Sequence, residues 1–231
     1  LAFLYFNQNK IKEAKKYIDK VINTKYPLKE YFLTAARIYF ADKKESFSLQ
    51  FLDKAIDLEP NAVLPNFLKG VLYRDLGDFQ NASIWIYKAL EIDTENPEIN
   101  NSYGVILGSL NKYQESINYF KKAIALKSDF YDSYGNLALA YHKIQSFNLA
   151  RDFYIKATTF FNNKAIQKNN INALYRNLIH FGAMEQELGN INNAIKHYEN
   201  AAKIIPNDPE SYNNIGIALG EAGKTKDAAK F

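Results

Sequence analysis

The residues with the widest chemical range in this sequence are its three histidines, His142, His180 and His197. An imidazole can ligate a metal ion or transfer a proton near neutral pH. His142 and His180 fall on the same projected face of neighbouring predicted helices and are candidates to approach each other. A metal site needs further ligands, and no convincing set of carboxylates accompanies them. We therefore expect surface histidines that hold no metal and no cofactor.

Other routes to catalysis are also poorly supported by the sequence. It contains no cysteine, which excludes disulfides, thiolate nucleophiles and sulfur-ligated metals. The segment GEAGK (220–224) superficially suggests a phosphate loop, but it lacks the required spacing and follows a predicted helix instead of a strand. We interpret it as a turn between helices. No nucleophile and base stand out as a pair, so no catalytic residue is predicted and the chain is interpreted as non-enzymatic.

A repeat of 34 residues organises the chain. Its most regular column is a set of Gly and Ala residues, in which one interval is 44: Ala2, Ala36, Gly70, Gly104, Ala138, Gly182 and Gly216. Four further columns keep the same register. The column three residues later is mostly aromatic or apolar: Tyr5, Tyr39, Tyr73, Leu107, Tyr141, Glu185 and Leu219. The columns twelve, sixteen and nineteen residues later carry small, large apolar and again small residues.

Each repeat is predicted to be a helix–turn–helix. The apolar residues recur at helical spacing, with one stripe on each side of a short break. The breaks carry residues suited to a left-handed conformation at a helix end: Gly77, Asn111, Gly189 and Gly223. Pro97 and Pro209 suit the first turn of a helix. The small residues are expected to let the two helices approach closely, and stacking of repeats then buries the apolar faces.

This pattern resembles the tetratricopeptide repeat family across essentially the whole chain. The segments that carry the resemblance are LKGVLYRDLGDFQNASIWIYKALEID (68–93), SYGVILGSLNKYQESINYFKKAIAL (102–126) and YGNLALAYHKIQSFNLARDFYIKA (134–157). The resemblance implies an all-α fold, an α-solenoid in the form of a right-handed superhelix. It would contain about seven helix–turn–helix units, the first and last incomplete.

The sequence predicts a single repeat array over 1–231. The expected repeats are about 1–27, 28–61, 62–95, 96–129, 130–163, 164–207 and 208–231. The sixth carries about ten extra residues near 161–174, which form either a longer loop or, as we favour, an extended first helix. Glu185 replaces an apolar residue of its column, and we expect it to reach solvent. Neither end resembles a polar cap, so we expect a piece of a longer protein, whose uncapped ends would allow self-association.

In the resembled family, the first helices of successive repeats line a concave surface that commonly binds an extended peptide or a helix of another protein. Helical geometry projects a polar row and a small apolar row onto this surface in the later repeats. Carboxamides both donate and accept hydrogen bonds, which suits a peptide backbone. The candidate peptide-binding residues are Asn101, Ser102, Val105, Asn136, Leu139, His142, His180, Ala183, Asn213, Asn214 and Ile217.

Two comparisons within that family leave alternatives open. The polar row is similar to the asparagine ladder in the repeat arm of O-linked N-acetylglucosamine transferases. Asn136 and Asn214 match it, whereas Ser102 and His180 interrupt it. The chain is therefore either a scaffold or the repeat arm of a larger enzyme, such as a glycosyltransferase. The clamp that some three-repeat arrays use for a chaperone tail is rejected, because no three consecutive repeats supply its Lys and Asn set.

Composition narrows the class of partner. The net charge of +4 is too small to favour nucleic acid. No apolar run reaches the roughly 18 residues that a membrane-spanning helix needs, so no membrane insertion is predicted. The expected partner is a protein or an extended peptide, and the sequence identifies neither the partner nor the compartment.

Overall fold

The computed structural model describes residues 1–24, 28–163 and 168–229, with the backbone alone for 160–163 and 168–170. All regular structure in these ranges is helical, which confirms the predicted all-α class. The helices are α1 (Ala2–Asn7), α2 (Ile11–Val21), α3 (Lys29–Ala41), α4 (Glu45–Leu58), α5 (Val63–Asp75), α6 (Phe79–Ile92), α7 (Pro97–Ser109), α8 (Tyr113–Leu126), α9 (Tyr131–Lys143), α10 (Phe147–Asn163), α11 (Lys168–Glu187), α12 (Ile191–Ile204), α13 (Pro209–Glu221) and α14 (Thr225–Ala228).

The helices belong to two compact units, Leu1–Leu110 and Asn111–Phe231. In unit 1, helices pack in consecutive pairs: α1 with α2, α3 with α4, and α5 with α6. In unit 2 the pairs are α9 with α10, α11 with α12, and α13 with α14. Within each unit, the second helix of a pair also packs against the first helix of the next pair. Odd-numbered helices are therefore the first helices, and even-numbered helices the second.

The turns that follow the odd-numbered helices share one geometry, which recurs with the repeat. Each turn contains a residue with positive φ: Asn9, Lys43, Gly77, Asn111, Gln145, Gly189 and Gly223. The next residue closes the helix end, as where the Lys44 N–H donates to the Tyr39 carbonyl at 2.9 Å. The left-handed turns predicted at Gly77, Asn111, Gly189 and Gly223 are confirmed, and GEAGK does lie at a turn between α13 and α14.

Close helix packing explains two of the glycines in the small-residue column. A Cβ on Gly70 would lie 2.5 Å from Cγ1 of Ile86 in the paired helix α6. A Cβ on Gly182 would lie 2.5 Å from Cε1 of Tyr198 in the paired helix α12. Both distances are too short for a real contact, so only glycine permits this approach. The predicted role of the small residues is confirmed at these two positions.

Each unit has its own apolar core at the interfaces between pairs. In unit 1 it is formed by residues such as Ile18, Phe32, Ile38 and Leu52. In unit 2 it includes Leu174, Leu178, Tyr198 and Ile215. The alanines of the second-helix columns are fully buried: Ala14, Ala55, Ala82, Ala89, Ala123, Ala150, Ala157, Ala194 and Ala201. No pair could bury its apolar surface alone, and stacking within a unit supplies the missing cover.

The longest helices flank the irregular interval of the repeat. α10 has 17 residues and α11 has 20, whereas α8 and α9 have 14 and 13. The insertion predicted near 161–174 falls partly outside the described residues, at 164–167. Side chains in the rest of it are described from Ile171 onward.

Candidate functional site

The first-helix face of unit 2 is formed by α9, α11 and α13. We use this name for the projected residues on these helices: Asn136, Leu139, His142, His180, Ala183, Asn213, Asn214 and Ile217. Asn136, Leu139, His142, His180 and Asn214 are half-buried, while Ala183 and Asn213 are exposed. Ile217 leaves 50% of its surface uncovered.

Contacts between successive first helices hold this face together. The Nε2 atom of His142 in α9 lies 2.8 Å from Oε2 of Glu187 in α11. The hydroxyl of Tyr175 in α11 donates to Asp208, the N-cap residue of α13, and lies 3.0 Å from Oε2 of Glu210 in the first turn of α13. Because α9 also packs directly against α11, the spacing of these side chains is fixed by the fold.

Burial controls the charge of the histidine at the centre of the face. It lowers the pKa of His180 below the ordinary value of 6.5, and the charge of Arg176 lowers the pKa further. The charge of Glu210 raises the pKa of His180, but by less than burial and Arg176 lower it. His180 is therefore neutral at pH 7, where its ring can both donate and accept a hydrogen bond. That capacity matches the carboxamides of Asn136 and Asn214 on either side.

The three remaining predicted site residues lie on α7, in unit 1. Asn101 and Val105 are half-buried, whereas Ser102 is only 9% exposed. Ser102 is thus the least accessible of the candidate residues. Helical projection predicts the direction of a side chain, but it does not show how closely the adjacent helix covers it.

The expectation that Glu185 reaches solvent is wrong. Glu185 is 2% exposed, and the guanidinium of Arg151 donates to both carboxylate oxygens at 2.7 and 3.0 Å. Asn190 adds a third hydrogen bond at 2.8 Å. Burial acts to raise the pKa of Glu185, but these hydrogen bonds and the charge of Arg151 lower it below the ordinary value. The carboxylate therefore stays charged inside the stack between α10 and α11.

The first-helix face of unit 1, formed by the same repeat positions on α3, α5 and α7, contains a pocket that was not predicted. A pocket of about 70 Å³ lies between α3 and α5, lined by residues that include Arg37, Phe40, Leu68 and Val71. The signal was present in the sequence, because these residues occupy the same repeat positions as the candidates of unit 2. Nothing in the repeat itself indicated that they enclose a pocket.

The described residues contain neither a cluster suited to a metal ion nor a helix suited to a bilayer. Among the described residues, no cluster of three or more His, Cys, Asp or Glu side chains is arranged to hold a metal ion. Over the same residues, no helix combines the length and apolar character needed to cross a bilayer.

Comparison with protein families supports the repeat assignment. The family model "Tetratricopeptide repeat" matches residues 1–25, 65–96, 97–130 and 131–163. A second model, "TPR repeat", matches 182–223.

Two curated relatives are longer than this chain. TPR repeat-containing protein MJ1428 of Methanocaldococcus jannaschii is 24% identical over 221 residues, which cover 93% of this chain and 38% of the relative. Anaphase-promoting complex subunit 6 of Arabidopsis thaliana is 22% identical over 160 residues, which cover 67% of this chain and 30% of the relative. The chain therefore spans about a third of the length of these two proteins.

Solved structures share the fold at low sequence identity. The crystal structure of the APC/C hetero-tetramer Cut9–Hcn1 matches with a TM-score of 0.74 and 19% identity, covering 94% of this chain and 41% of that one. The type IV pilus biogenesis factor PilW matches with a TM-score of 0.76 and 18% identity, covering 87% and 89%.

Proposed function

Because this chain belongs to the tetratricopeptide repeat family, we propose that it is a non-catalytic scaffold that binds an extended peptide of a partner protein. The proposed binding surface is the first-helix face of unit 2. Asn136, His180 and Asn214 supply polar contacts to the peptide backbone, and Leu139, Ala183 and Ile217 receive its side chains.

One observation carries this proposal. At three successive repeats, a half-buried polar side chain lies one turn from an apolar side chain that the protein leaves partly or largely uncovered. A carboxamide or neutral imidazole can pair with both the N–H and the C=O groups of an extended backbone. The partly uncovered apolar side chains give the peptide something to bury. The presence of two different proteins in the Cut9–Hcn1 assembly supports a role in protein assembly for this fold.

The double substitution Asn136→Ala and Asn214→Ala tests the proposal. Dodecapeptides are selected from a random phage-displayed library on the immobilised chain, and their affinities are measured by fluorescence anisotropy. Loss of two hydrogen-bonding groups is expected to weaken binding by about tenfold. The matched control is Asn118→Ala with Asn192→Ala, because both residues are exposed on second helices of the same unit. Equal affinity for the wild type and the first double variant would contradict a role for this face.

The alternative role, as the repeat arm of a larger enzyme such as a glycosyltransferase, stays a prediction. Sequencing the coding region on both sides of this chain tests it. A catalytic domain next to the repeats would favour the enzyme, whereas further repeats or a polar capping helix would favour the scaffold.

A further inference from the structure

The pocket on the first-helix face of unit 1 has a chemistry unlike that of the carboxamide rows. α3 contributes Ala36, Arg37 and Phe40, and α5 contributes Leu68 and Val71. Ser48 of α4 also borders the pocket, but its hydroxyl donates to the Ala36 carbonyl at 2.8 Å. The pocket interior therefore offers apolar surface and no free hydroxyl, so it favours an apolar occupant.

The size of the pocket limits what can enter it. Its volume of about 70 Å³ is roughly half that of an apolar cavity of about 150 Å³ that binds benzene. A branched aliphatic side chain of four carbons fits this space better than an aromatic ring. Phe40, which is 37% exposed, forms part of the wall and extends the apolar surface outward.

A cation without a carboxylate partner lies at the edge of this pocket. Arg37 is exposed, and its guanidinium lies over the Phe6 ring at 5.9 Å from the centroid. No carboxylate within the described ranges forms an ion pair with it. Arg74, the other arginine of this face, is already paired with Asp75 at 2.7 Å. Arg37 therefore lies beside an aromatic ring, and its hydrogen-bond donors are available to a carboxylate.

We infer that this pocket binds a peptide segment in which a Leu or Ile side chain is followed or preceded within a few residues by Asp or Glu. The aliphatic side chain fills the space between α3 and α5, and the acidic side chain pairs with Arg37. This inference rests on the proposed function, since it assigns a second peptide-binding surface to the same scaffold. Charge complementarity selects an acidic partner segment over a basic one.

Selection from the random dodecapeptide library tests the inference. The wild type is expected to enrich sequences that combine an aliphatic residue with a nearby Asp or Glu. Arg37→Glu is expected to reverse the charge preference, so that the enriched sequences carry Lys or Arg instead. Val71→Trp fills the pocket and is expected to weaken binding of the wild-type peptides by about tenfold or more, because burial of the aliphatic side chain is lost. Lys16→Glu is the matched charge-reversal control, on the exposed surface of α2.

The outcomes separate this inference from the proposed function. If the selected peptides depend on Asn136 and Asn214 but tolerate both Arg37→Glu and Val71→Trp, the inference is overturned and the proposed function stands. If no peptide is selected on the wild type, both are overturned. Circular dichroism checks that each variant is folded. Should Val71→Trp unfold, the exposed Arg37→Glu variant decides alone, and an unchanged acidic preference in it overturns the inference.

Discussion

At the position two residues before the small residue of each first helix, unit 1 carries Thr34, Leu68 and Ser102, whereas unit 2 carries Asn136, His180 and Asn214. At the position one residue after it, unit 1 has Phe3, Arg37, Val71 and Val105, and unit 2 has Leu139, Ala183 and Ile217. Both units have the same helical backbone structure and similar residue types in the buried columns. The packing columns of the repeat are therefore constrained, while the exposed rows are free to differ in chemistry.

The units also bury opposite charges in similar places. In unit 1, Lys69 of α5 is buried and pairs with Asp53 of the preceding second helix, α4. In unit 2, Glu185 of α11 is buried and pairs with Arg151 of the preceding second helix, α10. In each case one member of the pair is buried and the other lies nearer to solvent. Stacking of one pair of helices on the next thus provides the partner that a buried charge needs.

The largest expected effect comes from removing one of these partners. Arg151→Ala leaves the Glu185 carboxylate buried with only Asn190, and we expect the free energy of unfolding to fall by about 3 kcal/mol. Asp53→Ala is expected to cost less, because the ammonium of Lys69 also lies 3.7 Å from the Trp85 ring centroid. Urea unfolding followed by circular dichroism measures both, with the exposed Lys196→Ala as control. A larger loss for Asp53→Ala would contradict the comparison.

The Arg151→Ala deficit is also expected to depend on pH. In the wild type the pKa of Glu185 is below its ordinary value of 4.5, so the stabilisation is present above that pH and is lost as the pH falls through the folded-state value. In the variant, burial acts without the guanidinium and raises this pKa. The deficit should therefore be greatest at pH 7 and should shrink as the pH approaches the ordinary value.

The second effect compares the close contacts of Gly70 and Gly182. A Cβ at Gly70 would meet the backbone nitrogen of Ile86 at 2.8 Å as well as its side chain, whereas a Cβ at Gly182 would meet ring atoms of Tyr198 alone. Because a backbone moves less readily than a ring, Gly70→Ala should lower the free energy of unfolding by about 2 kcal/mol and Gly182→Ala by about 1 kcal/mol. Thermal unfolding compares the two variants.

Gly108→Ala is the control for these glycine substitutions. Apart from its chain neighbours and the nearby backbone of its own helix, no atom within the described ranges lies within 4 Å of a Cβ at this position. The variant should gain up to about 1 kcal/mol from helix propensity. If all three variants behaved alike, close packing would not explain the small-residue column.

The third effect concerns the turns and should be equal in the two units. Lys43 and Gln145 adopt φ values of 55° and 60°, which are unfavourable for residues with a Cβ. Lys43→Gly in unit 1 and Gln145→Gly in unit 2 should each stabilise the fold by about 0.5 to 1 kcal/mol. Gly77→Ala and Gly189→Ala should have the opposite sign. Chemical denaturation of the four variants measures this, and destabilisation by Lys43→Gly would contradict the strain assigned to its turn.

The smallest effect is a difference in acid sensitivity. All three histidines lie in unit 2, and burial lowers the pKa of both His180 and His197. The free energy of unfolding therefore decreases as the pH falls, because the two imidazoles bind protons more readily in the unfolded chain than in the folded one. Between pH 7 and pH 6 the loss should be less than about 1 kcal/mol per histidine. Amide hydrogen exchange should detect it in unit 2, and His180→Gln with His197→Gln should remove it.

The sequence was sufficient for the repeat, the helical pairs and the turns that carry Gly or Asn111. The left-handed residues at Lys43 and Gln145 were not predicted, because local residue type gives no signal there and only the repeat register places them. The error at Glu185 has a similar origin. Its partner Arg151 lies 34 residues earlier, so the ion pair depends on how one helical pair stacks on the next. The burial of Ser102 was not predicted for the same reason, because the projection of a single helix does not include the packing that buries this side chain.

The uniform turn geometry has a consequence for how such a chain can change in length. α10 and α11 together contain 37 residues, ten more than the 27 of α8 and α9, and the left-handed residues Gln145 and Gly189 are 44 positions apart instead of 34. The ten additional residues are accommodated by longer helices at the junction between two hairpins, and the tight connection within each hairpin keeps its length. Junctions between hairpins are therefore the places to graft foreign sequence, such as an epitope or a fluorophore site. The three-residue connections inside hairpins, each with one left-handed residue, are expected to tolerate insertions poorly.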